Sequence, residues 1–477
     1  MNKLRMSIVS ALVLFGGATG GLNSAQAADW WVAVGGAGDG TTSSTPTNGI
    51  AATINGAAAS DTVHIAEGIY TENDIAVGKY LTLEGAGKDL TVVQAASARS
   101  NAVTRVFYLT AGCVLKSMTV RYGRHVENDY GAGIALANNS AFNVTIEDCR
   151  ITKNDSMGDT VAPKRGGAIA APGSTAAGVL TLKNCEIVDN TSAGGLYGGG
   201  TAGLWVQKKN TVITNCLFEG NAGAAGAGAI YSSSAPLDIG DSTVISNISF
   251  YRGGGIYAGG SLTVRRSLIA YNIALNNGGG FYIGDAVHAE NTTICNNTAW
   301  YDGGGVCMQN SGMAGKTQTF YHCTIANNYA VGDGGGVRRP YGTLKFYGTI
   351  VARNDSSGIY KDIYAGAVAL CTNSLVGDRT GCPSSIVAGT PNAMGSYVGT
   401  SASPVDPRIL TLIDNGGPTR TLALGAGSPA LDHGINPLSL ISDQRGAPYT
   451  RTWGAGCDIG AFEYGPFPTT GPLFKTY

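Results

Sequence analysis

Residues 267–306 read SLIAYNIALNNGGGFYIGDAVHAENTTICNNTAWYDGGGV, and the stretch says one phrase twice. Ser267, Ile269 and Asn272 return 25 residues later as Thr292, Ile294 and Asn297, and the triplet from Gly278 returns from Gly303. Outward from there the glycine corners continue as GAGI from Gly131, GGAI from Gly166, TAGL from Thr201, AGAI from Ala227, GGGI from Gly253 and GGGV from Gly334. A second column runs in phase with them: Asn154, Asn190, Asn221, Asn247, Asn272, Asn297, Asn328 and Asn354. Three residues before each asparagine stands an apolar side chain (Ile151, Ile187, Phe218, Val244, Ile269, Ile294, Ile325, Val351). Five before stands a small one (Cys149, Cys185, Cys216, Ser242, Ser267, Thr292, Cys323, Thr349). A fixed period of this length is the mark of a stacked repeat.

The columns dictate the geometry of one repeat. Positions five and three before the asparagine differ by two, so on a strand both side chains point to one face. Each repeat holds two or three short strands with glycine corners, where positive φ is needed. Stacking puts every strand about 4.8 Å above its predecessor in parallel ladders, the apolar column becomes a continuous core, and the asparagines become a ladder of amides. The expected fold is therefore all-β, a parallel β-helix of about 25–35 residues per coil with caps at both ends, right-handed in keeping with the rule for parallel crossovers.

Composition agrees. Of 477 residues 72 are glycine and only 13% are charged, with 31 Lys and Arg against 32 Asp and Glu. Near-zero net charge excludes a basic nucleic-acid binder, and 16 prolines without a Gly-x-y period exclude collagen. Residues 1–27 read as an export signal, with basic Lys3 and Arg5, the apolar run MSIVSALVLFGG and small residues at Ala25-Gln26-Ala27. No later segment is apolar and long enough to span a membrane as a helix. The expected organisation is a signal at 1–27, an N-terminal cap at 28–60, coils over 61–365, a capping module over 366–464 that covers the open end of the last coil, and a tail at 465–477.

Towards the C-terminus prolines become frequent, and two phrases stand out: DNGGPTRTLALGAGSPALDHG from Asp414 and DQRGAPYTRTWGAGCDIGAFEY from Asp443. They resemble the terminal signature of bacterial choice-of-anchor Q surface proteins, which implies a β-helical body attached to the cell. The GGG and asparagine columns resemble the repeats of polymorphic outer-membrane proteins and of pectate-lyase-like helices. Neither resemblance implies one settled activity.

Of the ten cysteines, those in the small column read as packed core residues, with bridges between neighbouring coils left open, while Cys371 and Cys382 are the expected disulfide. Five histidines lack ligand spacing, no zinc motif occurs and no metal site is expected. Calcium is the one ion left open as a cofactor, although the order DGGG reverses the calcium-binding nonapeptide. The loop RYGRHVENDYG supplies candidate catalytic residues Arg121, Arg124, Glu127 and Asp129, the charge types a polysaccharide lyase of this fold would use. Trp205, Trp300, Tyr301, Arg338 and Arg339 flank glycine corners and are candidate ligand-binding residues, because exposed rings stack on sugar faces. The expected function is an exported cell-surface or extracellular protein of adhesion or surface architecture, with carbohydrate binding as its route. The alternative is a lyase or glycoside hydrolase acting on an acidic polysaccharide. The expected partner is a surface or extracellular polysaccharide and not nucleic acid.

Overall fold

The computed structural model describes residues 27–125, 130–138, 141–157, 165–173, 178–193, 200–308, 315–366 and 369–465. Among them the chain winds through four stacks of parallel strands. Sheet A runs from Asp29–Val32 to Ala369–Thr372, sheet B from Gly68–Thr71 to Tyr397–Val398, and sheet C from Ile75–Val77 to Ile363–Ala365. A narrow sheet of two- and three-residue strands, from Arg124–His125 to Asp355–Ser356, bridges B and C. One coil illustrates the path: Val144–Glu147 in A, Arg150–Thr152 in B, Asp155–Met157 in the narrow sheet, Ile169–Ala171 in C. This is a parallel β-helix. The apolar column lies in strict register on sheet B, Ile151 against Ile187, then Phe218, Val244, Ile269, Ile294, Ile325 and Val351. All eight are fully buried in one core that runs the length of the body.

The corner between sheet B and the narrow sheet carries the asparagines. From Asn154 through Asn328 each side-chain Nδ2 donates to Oδ1 of the next asparagine at 2.9–3.0 Å. The backbone N–H of the same residue donates to that same oxygen at 3.0–3.2 Å. The second amide proton reaches back to a carbonyl of the preceding coil, as Asn272 does to Val244 at 2.9 Å. The residue before each asparagine sits in the left-handed region, including bulky Tyr271 at φ 54 and Arg353 at φ 59. That conformation costs an L-residue about 1–2 kcal/mol, so the ladder holds the corner in it.

Why the glycines keep phase with the asparagines follows from space. A Cβ on Gly255 would lie 3.1 Å from the Asn272 amide, and Gly280, Gly305 and Gly336 stand in the same relation to Asn297, Asn328 and Asn354. The third glycine of each triplet thus vacates the place that the next asparagine fills. In the last coil no asparagine follows, and the third-glycine position is Asp362. Its carboxylate occupies the vacant place: Oδ1 accepts from Asn354 N at 3.0 Å and Nδ2 at 2.9 Å, and Oδ2 accepts from Asp378 N at 2.7 Å. Burial pushes this carboxyl up to about 7 against the pull of those donors.

The N-terminal end is plugged by Asp29–Val32, which extends sheet A, and by a helix, Ile50–Gly56, that the sequence pattern did not announce. Ile50 and Ile54 enter the core. Glu72 accepts from the N–H groups of Ile50 and Ala51, and the Lys79 ammonium donates to carbonyls of the last turn, so each helix end meets its complementary charge. At the other end the coils continue beyond residue 365, through Ala369–Thr372 and Leu375–Val376 to Tyr397–Val398.

The expectation that residues 366–464 cover the open end describes only their first part. Ile386 and Val398 close the end, but the chain then folds back along the outer face of sheet B. There Ile245, Leu268, Ala270, Cys295, Ala326, Ile350, Ala352 and Leu375 form a second apolar cluster with Ile409, Leu422, Leu424, Ala430, Ile459 and Phe462. Arg451 clasps the module to the body, donating to Glu463 at 2.7 Å and to Asn291 Oδ1 at 3.3 Å, while Thr293 donates to Gln444 at 2.6 Å. Arg445 lies 4.0 Å from the ring centroids of both Tyr449 and Phe462 and is bidentate to Asp443. The expected Cys371–Cys382 bridge is not formed, and all ten cysteines are free. Cys371 points into the core with its thiol beside Ser374 and Ser396, and Cys382 packs against that core as an apolar group.

Two outcomes follow for stability. Asn272→Ala leaves the two Asn247 donors buried without an acceptor and should lower the unfolding free energy by about 3 kcal/mol, read from urea denaturation. Because the folded Asp362 carboxyl holds its proton up to about pH 7 while the unfolded one releases it near the ordinary carboxyl value of 3.8, stability should fall as pH rises between those values. Asp362→Asn should remove that part of the pH dependence, measured by melts across the same range.

Candidate functional site

The narrow sheet carries a band of exposed aromatic side chains, Phe250, Trp300 and Tyr329, and its construction is local. The residue two past each asparagine points inward and is small: Ser249, Ala274, Ala299 and Ala330 are all fully buried. The residues one and three past it therefore face out. In four successive coils these are Ile248 and Phe250, Ile273 and Leu275, Thr298 and Trp300, Tyr329 and Val331. Strand pairing stacks the first column, Ile248 on Ile273 on Thr298 on Tyr329. Backbone bonds from Leu275, Trp300 and Val331 to the coil before keep the second column in the same register. Tyr271 at the left-handed corner and Tyr301 beyond Trp300 border the band.

Exposure rises from 37% at Ile273 and Tyr329 to 58% at Trp300 and 60% at Tyr301. Four coils at about 4.8 Å give a band about 15 Å long. None of its side chains is charged. The acids at its border are committed: Asp302 accepts from Asp333 N at 2.9 Å and pairs with Arg338 at 2.8 Å, and Asp333 accepts from Ile359 N at 3.1 Å. Tyr329 is oriented through its hydroxyl, 2.6 Å from that of Ser357. An uncharged array of upright rings on a rigid sheet offers stacking surfaces with little conformational entropy left to lose.

The five candidate ligand-binding residues do not form one site. Trp300 and Tyr301 belong to the band. Trp205 lies on sheet C, buried beneath Tyr130, whose ring stacks on it at 5.3 Å, and beneath the Arg165 guanidinium at 4.8 Å. Beside it Tyr231, Tyr257 and Tyr282 stack coil on coil at 4.4 and 5.1 Å. Arg338 also faces out from sheet C, tied to Asp302 and 5.8 Å from the Tyr364 ring. Arg339 points the other way, into the coil. It is fully buried and donates to Gln318 at 2.6 Å, and burial pushes its guanidinium down to about 10. Alternation on a strand makes these neighbours opposites, and their adjacency in sequence concealed it.

The lyase candidates are likewise split. Arg121 is on sheet B, donating to Gln94 at 3.0 Å, whereas Arg124 is on the narrow sheet opposite Asp155. Glu127 and Asp129 lie outside the described residues. No group of three or more His, Cys, Asp or Glu among the described residues is placed to hold a metal ion. Sequence reasoning missed Phe250, Tyr271, Ile273, Tyr329 and Val331. The signal was present in the two positions flanking the small inward residue after each asparagine, which hold at least one large apolar or aromatic side chain in each of these four coils, against Ala222 and Ala224 in the coil before and Asp355 and Ser357 in the coil after.

A family model agrees with this architecture: described as the right handed beta helix region, it matches residues 132–349. The fold is a right-handed parallel β-helix. Among solved structures the chain is similar to that of pectate lyase Pel9A, at 13% identity, covering 92% of this chain and 96% of that one with a TM-score of 0.44. No curated protein matches the sequence.

The two tryptophans should separate packing from surface. Trp205→Ala should cost about 3–5 kcal/mol of stability by leaving a cavity under Tyr130, whereas Trp300→Ala should change it by no more than about 0.5 kcal/mol, both read from chemical denaturation.

Proposed function

We propose that this chain is an exported, surface-associated β-helix that adheres to a neutral polysaccharide through the aromatic band of its narrow sheet. The single observation carrying this reading is the uncharged column pair from Ile248 to Val331, in which Phe250, Ile273, Trp300, Tyr329 and Val331 are exposed, bordered by Tyr271 and Tyr301. A contiguous exposed apolar patch on a rigid sheet is a binding surface in the ordinary case. Sugar rings present apolar C–H faces of matching kind, and the absence of charge disfavours an acidic chain. Support for export comes from the basic start, apolar run and Ala25-Gln26-Ala27 ending. Support for a surface location comes from the resemblance of residues 414–464 to the choice-of-anchor Q signature. Among the described residues the lyase candidates Arg121 and Arg124 stand on different sheets.

Affinity electrophoresis of the purified chain through gels holding neutral or acidic polysaccharides tests this. Retardation by a neutral polysaccharide, abolished in Trp300→Ala with Tyr329→Ala, is expected. Retardation that survives the double substitution, or shortening of the polysaccharide, would refute the reading.

A further inference from the structure

A cleft lies on a different face from the band, where the C-terminal module stops short of covering sheet B. The turn 414–420, between the antiparallel strands Ile409–Ile413 and Thr421–Leu424, forms one wall of a cleft of about 680 Å³. That volume suits a small organic ligand. Leu217, Thr243 and Ile245, outward residues of sheet B, make a largely apolar floor. The opposite wall is the corner between sheets A and B, where Asn215 donates to Asn184 at 2.9 Å and Asn184 to Asp148 at 3.0 Å. The cleft ends at a ridge of ion pairs, Lys88 and Arg150 both on Glu186, with Arg150 also on Asp89.

Charge selects the ligand. The bases around the cleft are nearly all spent on acids, Lys88 and Arg150 at the ridge and Arg266 on Asp241 in a bidentate pair at 2.6 and 2.7 Å. Among the described residues Arg420 is the one cation of the lining outside an ion pair. Against it stand Asp148, Glu219 and Asp414, none of which is ion-paired with a cation among the described residues. The uncompensated balance is negative, at a place rich in amide and hydroxyl groups above an apolar floor.

We propose that this cleft is a binding site for a short oligosaccharide bearing protonated amines. The hydroxyl groups of the ligand meet Asn215, Thr243 and Thr419, a ring face meets Leu217 and Ile245, and the ammonium groups meet Glu219 and Asp414. The site is separate from the aromatic band and independent of it.

Isothermal titration of the full chain with the trimer of glucosamine, its N-acetylated counterpart and a galacturonate trimer decides the matter. The amine trimer should bind at least about tenfold more tightly than the acetylated one, weakening as salt is raised. Glu219→Gln with Asp414→Asn should abolish that preference without altering the melting temperature, since Glu219 and Asp414 are exposed. Trp300→Ala should leave it intact, which separates this site from the band. Equal binding of the acetylated trimer, tighter binding of the galacturonate, preference retained in the double variant, or no binding of any trimer would each overturn the proposal.

Discussion

The molecule depends on one packing relation, an asparagine amide lying where a glycine of the preceding coil has no side chain. Each amide is then satisfied on every side, by its neighbours in the ladder and by a carbonyl behind it. Buried amides demand this, because an unmatched donor costs about 1–3 kcal/mol. A one-residue slip in any coil would bring a Cβ into the amide and leave donors unmatched. The ladder therefore sets register for all four sheets at once, and hydrogen bonds that share one direction along a row polarise each other. Asp362 ends the row with a carboxyl oxygen at its acceptor end, which fits that polarity.

Because the inward columns are fixed this way, the outward columns are free to vary from coil to coil. Two positions before the asparagine, the outer face of sheet B carries Thr152, Val188 and Glu219 in the early coils. It carries Ala270, Cys295, Ala326 and Ala352 in the later ones. The small apolar run is where the C-terminal module lies, and the point of change is where the cleft opens. One and three positions after the asparagine the same device produces the aromatic band. The rod is thus a single scaffold with separately written faces, one covered, one grooved and one open.

Much of this was legible in the sequence. The columns at Ile269, Asn272 and Gly278 gave period, strand direction and core, because each is repeated and each has one physical reading. What was not legible is what repeats cannot encode. The short helix from Ile50 is fixed by Glu72 and Lys79, which are distant in sequence. The fold-back of residues 399–463 rests on outward alanines, whose meaning needs the strand parity worked out first. Trp205 and Trp300 look alike beside their glycines, yet one is roofed by Tyr130 and Arg165 and the other is open, a difference made by neighbouring coils alone. Arg338 and Arg339 failed as a pair for the same reason, since a strand sends adjacent side chains to opposite faces.

Hydroxyl-radical footprinting of the full chain, with and without the neutral polysaccharide that retards it, tests the central claim most directly. Protection should concentrate on Phe250, Tyr271, Trp300, Tyr301 and Tyr329, with the sheet C stack of Tyr231, Tyr257 and Tyr282 unchanged. Protection of the sheet C stack, with Trp300 and Tyr329 oxidised as readily as in the free chain, would contradict it.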